Sequence, residues 1–174
     1  MQWALQEAQF SVPLLEQRSD SALVDVALLF RTGAIADPPG KAGLAALTAA
    51  MITDGGSRLR TREQLQKALY PLAAPFVAQV DKEMLRFGGT VHRDNLEAWW
   101  AIVHEMLTDP GFRAEDFARI RQQQVNAVRD SLRANNDEEL GKELLYEQVY
   151  GDAHPYGRLT SGHAGDLESI TLDD

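Results

Sequence analysis

Gly43-Leu44-Ala45-Ala46-Leu47-Thr48-Ala49-Ala50-Met51 is the stretch around which the rest of the chain is organised. Its side chains are small and apolar, and Thr48 is the only polar one between Lys41 and Thr53. A helix of this composition can be buried over most of its surface. It carries no chemistry of its own, because Ala, Leu and Met offer no metal ligand, nucleophile or proton carrier. The expected helix runs from Ala42 to Asp54 and stops at Gly55-Gly56, residues suited to a left-handed C-terminal cap.

Upstream, Leu23 to Arg31 is rich in apolar and β-branched residues, with Asp25 interrupting one face, and reads as a central strand. Val12 to Gln17 reads as an earlier strand, separated from it by Ser19-Asp20-Ser21. Thr32 to Lys41 holds Gly33, Asp37-Pro38-Pro39 and Gly40, and can form neither helix nor ladder. Downstream, Thr61 with Gln64 three residues on predicts a capped second helix reaching Tyr70, which Pro71 stops. Pro75 to Val80 and Met84 to His92 alternate and are joined by Asp81-Lys82-Glu83, the pattern of an antiparallel hairpin. Pro75 lacks an amide hydrogen, which puts the first of these strands at a sheet edge.

Helices dominate the second half. Asp94 is expected to cap one with an apolar face of Leu96, Trp99, Trp100, Val103 and Leu107, ended by Asp109-Pro110-Gly111. A longer helix is expected from Ala114 to Arg133, a break at Asn135-Asn136-Asp137, and another helix from Glu138 to Tyr150. The rest reads as loop, with a short turn at Leu167-Glu168-Ser169-Ile170. The sum is an α+β domain, an antiparallel or mixed sheet with helices packed on one side, and one domain over residues 1–174. Asp174 is an odd place to stop after Leu167 to Thr171, which suggests a fragment of a longer chain.

The 26 acidic against 17 basic residues give a net charge of −9, which argues against a nucleic-acid or anionic-membrane surface. There is no cysteine, so disulfides and thiolate metal sites are excluded. No apolar run is long enough for a membrane span, and Met1-Gln2-Trp3-Ala4-Leu5 lacks the build of a signal peptide.

Zinc hydrolysis requires three ligands from His, Asp or Glu and a carboxylate base. No His-x-x-x-His pair occurs, and His104-Glu105 is followed by Thr108 where a second histidine would complete a metalloprotease motif. His92, His154 and His163 stand at no recognised ligand spacing. There is no Gly-x-Ser-x-Gly elbow and no phosphate loop, since Gly55-Gly56 closes a helix instead of opening one. Asp137-Glu138-Glu139 suits a helix N-terminus, and of Trp99 and Trp100 at least one ring belongs to the core.

The order of elements resembles the N-terminal part of the pitrilysin or insulinase (M16) zinc metallopeptidases, which include the mitochondrial processing peptidase. The likeness rests on Val24 to Ala34, Gly40-Lys41-Ala42-Gly43-Leu44-Ala45, Met51 to Ser57, Arg93-Asp94-Asn95-Leu96, Asp109-Pro110-Gly111-Phe112 and His154-Pro155-Tyr156-Gly157. It implies the metallopeptidase-like fold shared with LuxS and the processing peptidase. In active members His-x-x-Glu-His follows Gly-Leu-Ala, and here those three positions fall on Ala46, Ala49 and Ala50. The third ligand, a glutamate on the later long helix, falls near Asn126 or Ala127, with Asp130 in reach of a small slip in alignment.

The resemblance therefore implies a non-catalytic homologue with no cofactor of its own, zinc belonging to a catalytic partner. It implies pairing with a catalytic M16 subunit or second half-domain in a clamshell around an extended peptide. Pro75, Phe76, Val77, Ala78, Gln79 and Val80 are similar to the strand that pairs with substrate in that family. A bacterial periplasmic location is what this style of member suggests. The alternatives are a stand-alone peptide-binding or scaffold module, and a peptidase with ligands relocated to His92, His104, His154, His163 and nearby acids.

Overall fold

A computed structural model describes residues 19–131, 137–151 and 154–174. The expected strand Val12 to Gln17 and the break at Asn135-Asn136 lie outside the described residues. Three strands form an antiparallel sheet: β1 (Leu23–Phe30), β2 (Val77–Val80) and β3 (Leu85–His92), in the order β1-β3-β2. The register sets Leu23 opposite His92 and Phe30 opposite Leu85, and on the other side Val77 opposite Gly88 and Val80 opposite Leu85.

Among the described strands β3 lies between β1 and β2, and β1, expected to be central, pairs with no described strand besides β3. Gly88-Gly89 lets β3 take its place. A Cβ on Gly88 would stand 2.1 Å from the Val26 carbonyl oxygen, and one on Gly89 would stand 2.0 Å from that of Pro75. Backbone presses on β3 from both sides, and only glycine leaves room. The expected hairpin is present, and β2 pairs with no described strand besides β3.

The sheet has one packed face. Val24, Val26 and Leu28 of β1 lie on the same face as Leu85, Phe87 and Val91 of β3, and Ala78 and Val80 of β2 join them. Asp25, Leu29 and Thr90 on the other face are exposed, and Asp25 accepts from Thr90 Oγ1 at 3.1 Å. Over the packed face lie α1 (Leu44–Asp54), α2 (Arg62–Leu69) and α3 (Leu96–Thr108). Phe76 stacks on Phe87 and meets Trp99 edge-on, and Trp99 is fully buried. Such an aromatic group contributes more than its buried area alone, by about 0.5–1.5 kcal/mol per pair.

A second apolar cluster joins the far side of α1 to α4 (Ala114–Asn126) and to the short α6 (Ala164–Ser169). Leu47 and Met51 pack there with Phe117, Ile120, Val125, Leu167 and Ile170. Ala49 faces the sheet cluster instead. The opening helix is thus the middle layer, buried on two sides as its composition predicts.

Local details follow the sequence closely in α2, where Thr61 Oγ1 accepts from Gln64 N and Gln64 Oε1 accepts from Thr61 N. They differ in α3. Asp94 sits in a 3₁₀ turn, Arg93–Asn95, and His92 Nδ1 accepts from Asp94 N at 3.3 Å, so the histidine caps the turn. The buried face of α3 is Trp99, Ile102, Val103 and Met106, while Trp100 is exposed. The long helix expected to reach Arg133 is α-helical only to Asn126 and continues as a π turn over Ala127–Ser131. Asp137–Tyr150 forms α5, and the turn expected at Leu167 to Ile170 is the end of α6.

Candidate functional site: a cavity between the opening helix and the edge strand

Residues 46, 49, 50 and 53 are spaced i, i+3, i+4 and i+7, so Ala46, Ala49, Ala50 and Thr53 form one stripe along α1. The stripe faces a cavity of about 530 Å³ whose other walls are Ala78 and Val80 of β2, Asp81 of the hairpin turn, Gln124 of α4, Glu143 of α5, and Thr160 and Ser161. The volume lies in the range of about 300–1,000 Å³ typical of small-molecule sites. Small side chains make the room: a larger residue at Ala46 or Ala50 would narrow it.

Three devices hold the walls in place. At the start of α1, Gly43 has φ 94, a left-handed conformation, and cannot cap with a side chain. Asp37, six residues earlier and only 4% exposed, does so instead: its carboxylate accepts from Gly43 N at 2.8 Å and from Ala45 N at 2.9 Å. Burial pushes the Asp37 carboxyl above its ordinary value, against the pull of those amides and of Arg158. The Arg158 guanidinium also donates to the Asp37 carbonyl oxygen.

On the opposite side Lys82, 7% exposed, reaches across from the hairpin turn. Its Nζ donates to Glu143 Oε2 at 2.8 Å and to the Arg158 carbonyl at 2.6 Å, and lies 5.1 Å from the centre of the Tyr146 ring. Glu143 Oε2 also accepts from Thr160 N at 3.2 Å. One lysine thus ties the hairpin, α5 and the segment around residue 160 to each other. Gln124 Nε2 donates to the Ser161 carbonyl at 3.4 Å, while Gln124 Oε1 is buried with no donor among the described residues.

Of the residues singled out from the sequence, Ala46, Ala49, Ala50, Ala78 and Val80 come together at this cavity. Val77 and Gln79 point to the other face of β2 and are exposed, Phe76 is core, and Pro75 is exposed ahead of the strand. Asn126 does not line the cavity: it is exposed, and its Oδ1 accepts from Gln122 Nε2 at 2.9 Å. The residue that α4 presents to the cavity is Gln124. Sequence reasoning missed Thr53, Asp81, Gln124, Glu143, Thr160 and Ser161 as site residues. Helical spacing from Ala46 would have found Thr53, and no local signal marks the others.

The donor set does not fit zinc. The cavity wall has no imidazole, and of its two carboxylates Glu143 is committed to Lys82 and Thr160. The histidines are elsewhere. His92 caps its turn, His104 stands edge-on to Trp100, His154 stacks on Tyr150, and His163 Nε2 is 3.8 Å from Glu147. Among the described residues no group of three His, Asp or Glu side chains is placed to hold a metal ion.

A family model for insulinase, peptidase family M16, matches residues 13–160, and the chain belongs to that family. Among solved structures it is similar to the peptidase M16 inactive domain from Pseudomonas fluorescens, at 25% identity and a TM-score of 0.77 over 90% of this chain. It also shares its fold with a protease from Helicobacter pylori, at 18% identity and a TM-score of 0.72 over 88% of this chain. The chain spans just over a third of those two structures, 37% and 36% of their lengths. No curated protein sequence matches it. Among the described residues no helix is long and apolar enough to cross a membrane.

Proposed function

We propose that this chain is the N-terminal portion of a non-catalytic M16 domain, which completes a peptide chamber with a zinc-bearing M16 subunit or half-domain. The observation that carries the reading is the alanine stripe of α1. Ala46, Ala49 and Ala50 face the cavity beside β2 where the resemblance aligns two zinc ligands and a general base. A helix face of methyl groups can neither bind zinc nor take a proton from water. In this reading zinc is a cofactor of the partner only.

The role left to the chain is mechanical and recognitive. β2 has an edge turned away from β3, and an extended peptide can add to such an edge through backbone hydrogen bonds that need no particular side chain. Pro75 lies ahead of the strand, so its missing amide hydrogen costs the Val77–Val80 edge nothing. The test is zinc content by atomic spectroscopy with peptidase assays, on the chain alone and with its partner. Stoichiometric zinc and activity in the isolated chain would refute the proposal.

The stand-alone peptide-binding module is favoured by the same edge and cavity and differs only in its partner. Affinity capture separates the two: recovery of a protein containing His-x-x-Glu-His supports the chamber, and peptide binding without such a protein supports the module.

A further inference from the structure

We propose that the alanine-floored cavity is a side-chain subsite for one lysine or arginine of an extended peptide laid along β2. This rests on the peptide-holding reading above and adds to it the class of peptide held.

Geometry sets the first condition. Side chains of an added strand alternate between the two faces of the sheet. Every second residue of the peptide therefore lies on the face of Ala78 and Val80, both of which line the cavity. A guest side chain entering there first meets methyl groups, those of Ala46, Ala50 and Ala78. The aliphatic stem of a lysine or arginine suits such a floor.

Chemistry at the rim sets the second. The cavity wall carries two carboxylates and no cation. Glu143 is already neutralised by Lys82. Asp81 is exposed and makes no ion pair among the described residues, its Oδ1 accepting only from Lys82 N at 2.7 Å. The wall is thus short of positive charge, and a side chain ending in an ammonium or guanidinium supplies it. A glutamate guest would meet like charge, and a long apolar guest would desolvate Asp81 without pairing it.

The experiment uses fluorescence anisotropy of a labelled, Thr/Val-rich extended peptide with a single central guest: lysine, arginine, norleucine or glutamate. Norleucine keeps the stem of lysine without its charge. Lysine and arginine guests are expected to bind at least about tenfold tighter than norleucine, the effect of one charge-assisted hydrogen bond. Asp81→Asn should bring the lysine-to-norleucine ratio to within about twofold of one, and Ala50→Leu, which fills the floor, should weaken lysine binding about tenfold or more. Thermal melts confirm that each variant is folded. Equal affinity for all four guests overturns the subsite while leaving the peptide-holding reading intact. No binding by any guest overturns both.

Discussion

The tie made by Lys82 holds the cavity wall, and breaking it has a magnitude that can be worked out. In Lys82→Met the stem is kept and the ammonium lost, so Glu143 and the Arg158 carbonyl each lose a donor. Removing one partner of a fully buried pair costs about 3–5 kcal/mol, most of it from the charge left behind. Here the Glu143 side chain is 21% exposed and keeps its bond from Thr160 N, so solvent and one amide absorb part of that cost. We expect a loss of about 2–3 kcal/mol. Glu143→Gln should cost less, about 1–2 kcal/mol, because a carboxamide oxygen still accepts from Lys82. Lys82→Met with Glu143→Leu should recover part of the loss, since neither charge is then stranded. The assay is urea unfolding followed by circular dichroism, reading the shift of midpoint at constant slope. A coupling energy between residues 82 and 143 below about 0.5 kcal/mol in the double-mutant cycle would refute the reasoning, because independent sites add to within that error.

Asp37→Ala removes the cap of α1 and leaves two amides without acceptors, and should cost about 2–4 kcal/mol with faster hydrogen exchange at Ala45 to Leu47. Since the Asp37 carboxyl is raised above 3.8, its own contribution to stability is greatest below pH 3.8 and is lost as pH rises through the folded value; Asp37→Asn should flatten that component of the urea midpoint against pH. Glu105 behaves in the opposite sense. Arg60 first, then Ser57, hold its carboxyl below 4.5. Its stabilisation is therefore present above pH 4.5 and lost as pH falls through the folded value, and the deficit of Glu105→Gln at neutral pH should vanish in acid melts. Gly89→Ala would drive a Cβ into the Pro75 carbonyl and should cost about 3 kcal/mol, with loss of amide protection in β2. Ala46→His, Ala49→Glu and Ala50→His together should bind zinc weakly in a chelator competition, and adding Gln124→Glu should tighten it more than adding Asn126→Glu, because Gln124 is the α4 residue at the cavity.

Features set by local chemistry were legible in the sequence. The capping box at Thr61, the hairpin from residue 75 to residue 92 and the burial of α1 on two sides all follow from residues a few positions apart. Features set by what a residue meets across the fold were not. Gly88-Gly89 looks like a weak point in a strand until Val26 and Pro75 are seen on either side of it. The face of α3 turned away from Trp100 toward Ile102 and Met106 because a helix with apolar residues at 96, 99, 100, 102, 103, 106 and 107 offers more than one stripe, and the sheet chooses. The cavity draws its wall from five parts of the chain. The resemblance placed the third-ligand position near Asn126 or Ala127, whereas the residue α4 presents to the cavity is Gln124.

The placing of β3 between β1 and β2 also bears on how the molecule comes to exist. The hairpin of β2 and β3 closes a short turn, but β1 must find β3 across all of α1 and α2, with Leu23 ending opposite His92. Contacts between residues far apart in sequence pay their loop entropy before they gain anything, so they form late. The cavity needs still longer loops, since Ala46 and Ser161 share it. Substitutions such as Leu85→Ala in the hairpin should then slow refolding, whereas Lys82→Met should mainly speed unfolding, a contrast that stopped-flow φ-values read directly. On this ordering the cavity is expected to close after the hairpin, so in refolding experiments peptide binding should be regained later than amide protection in β2 and β3.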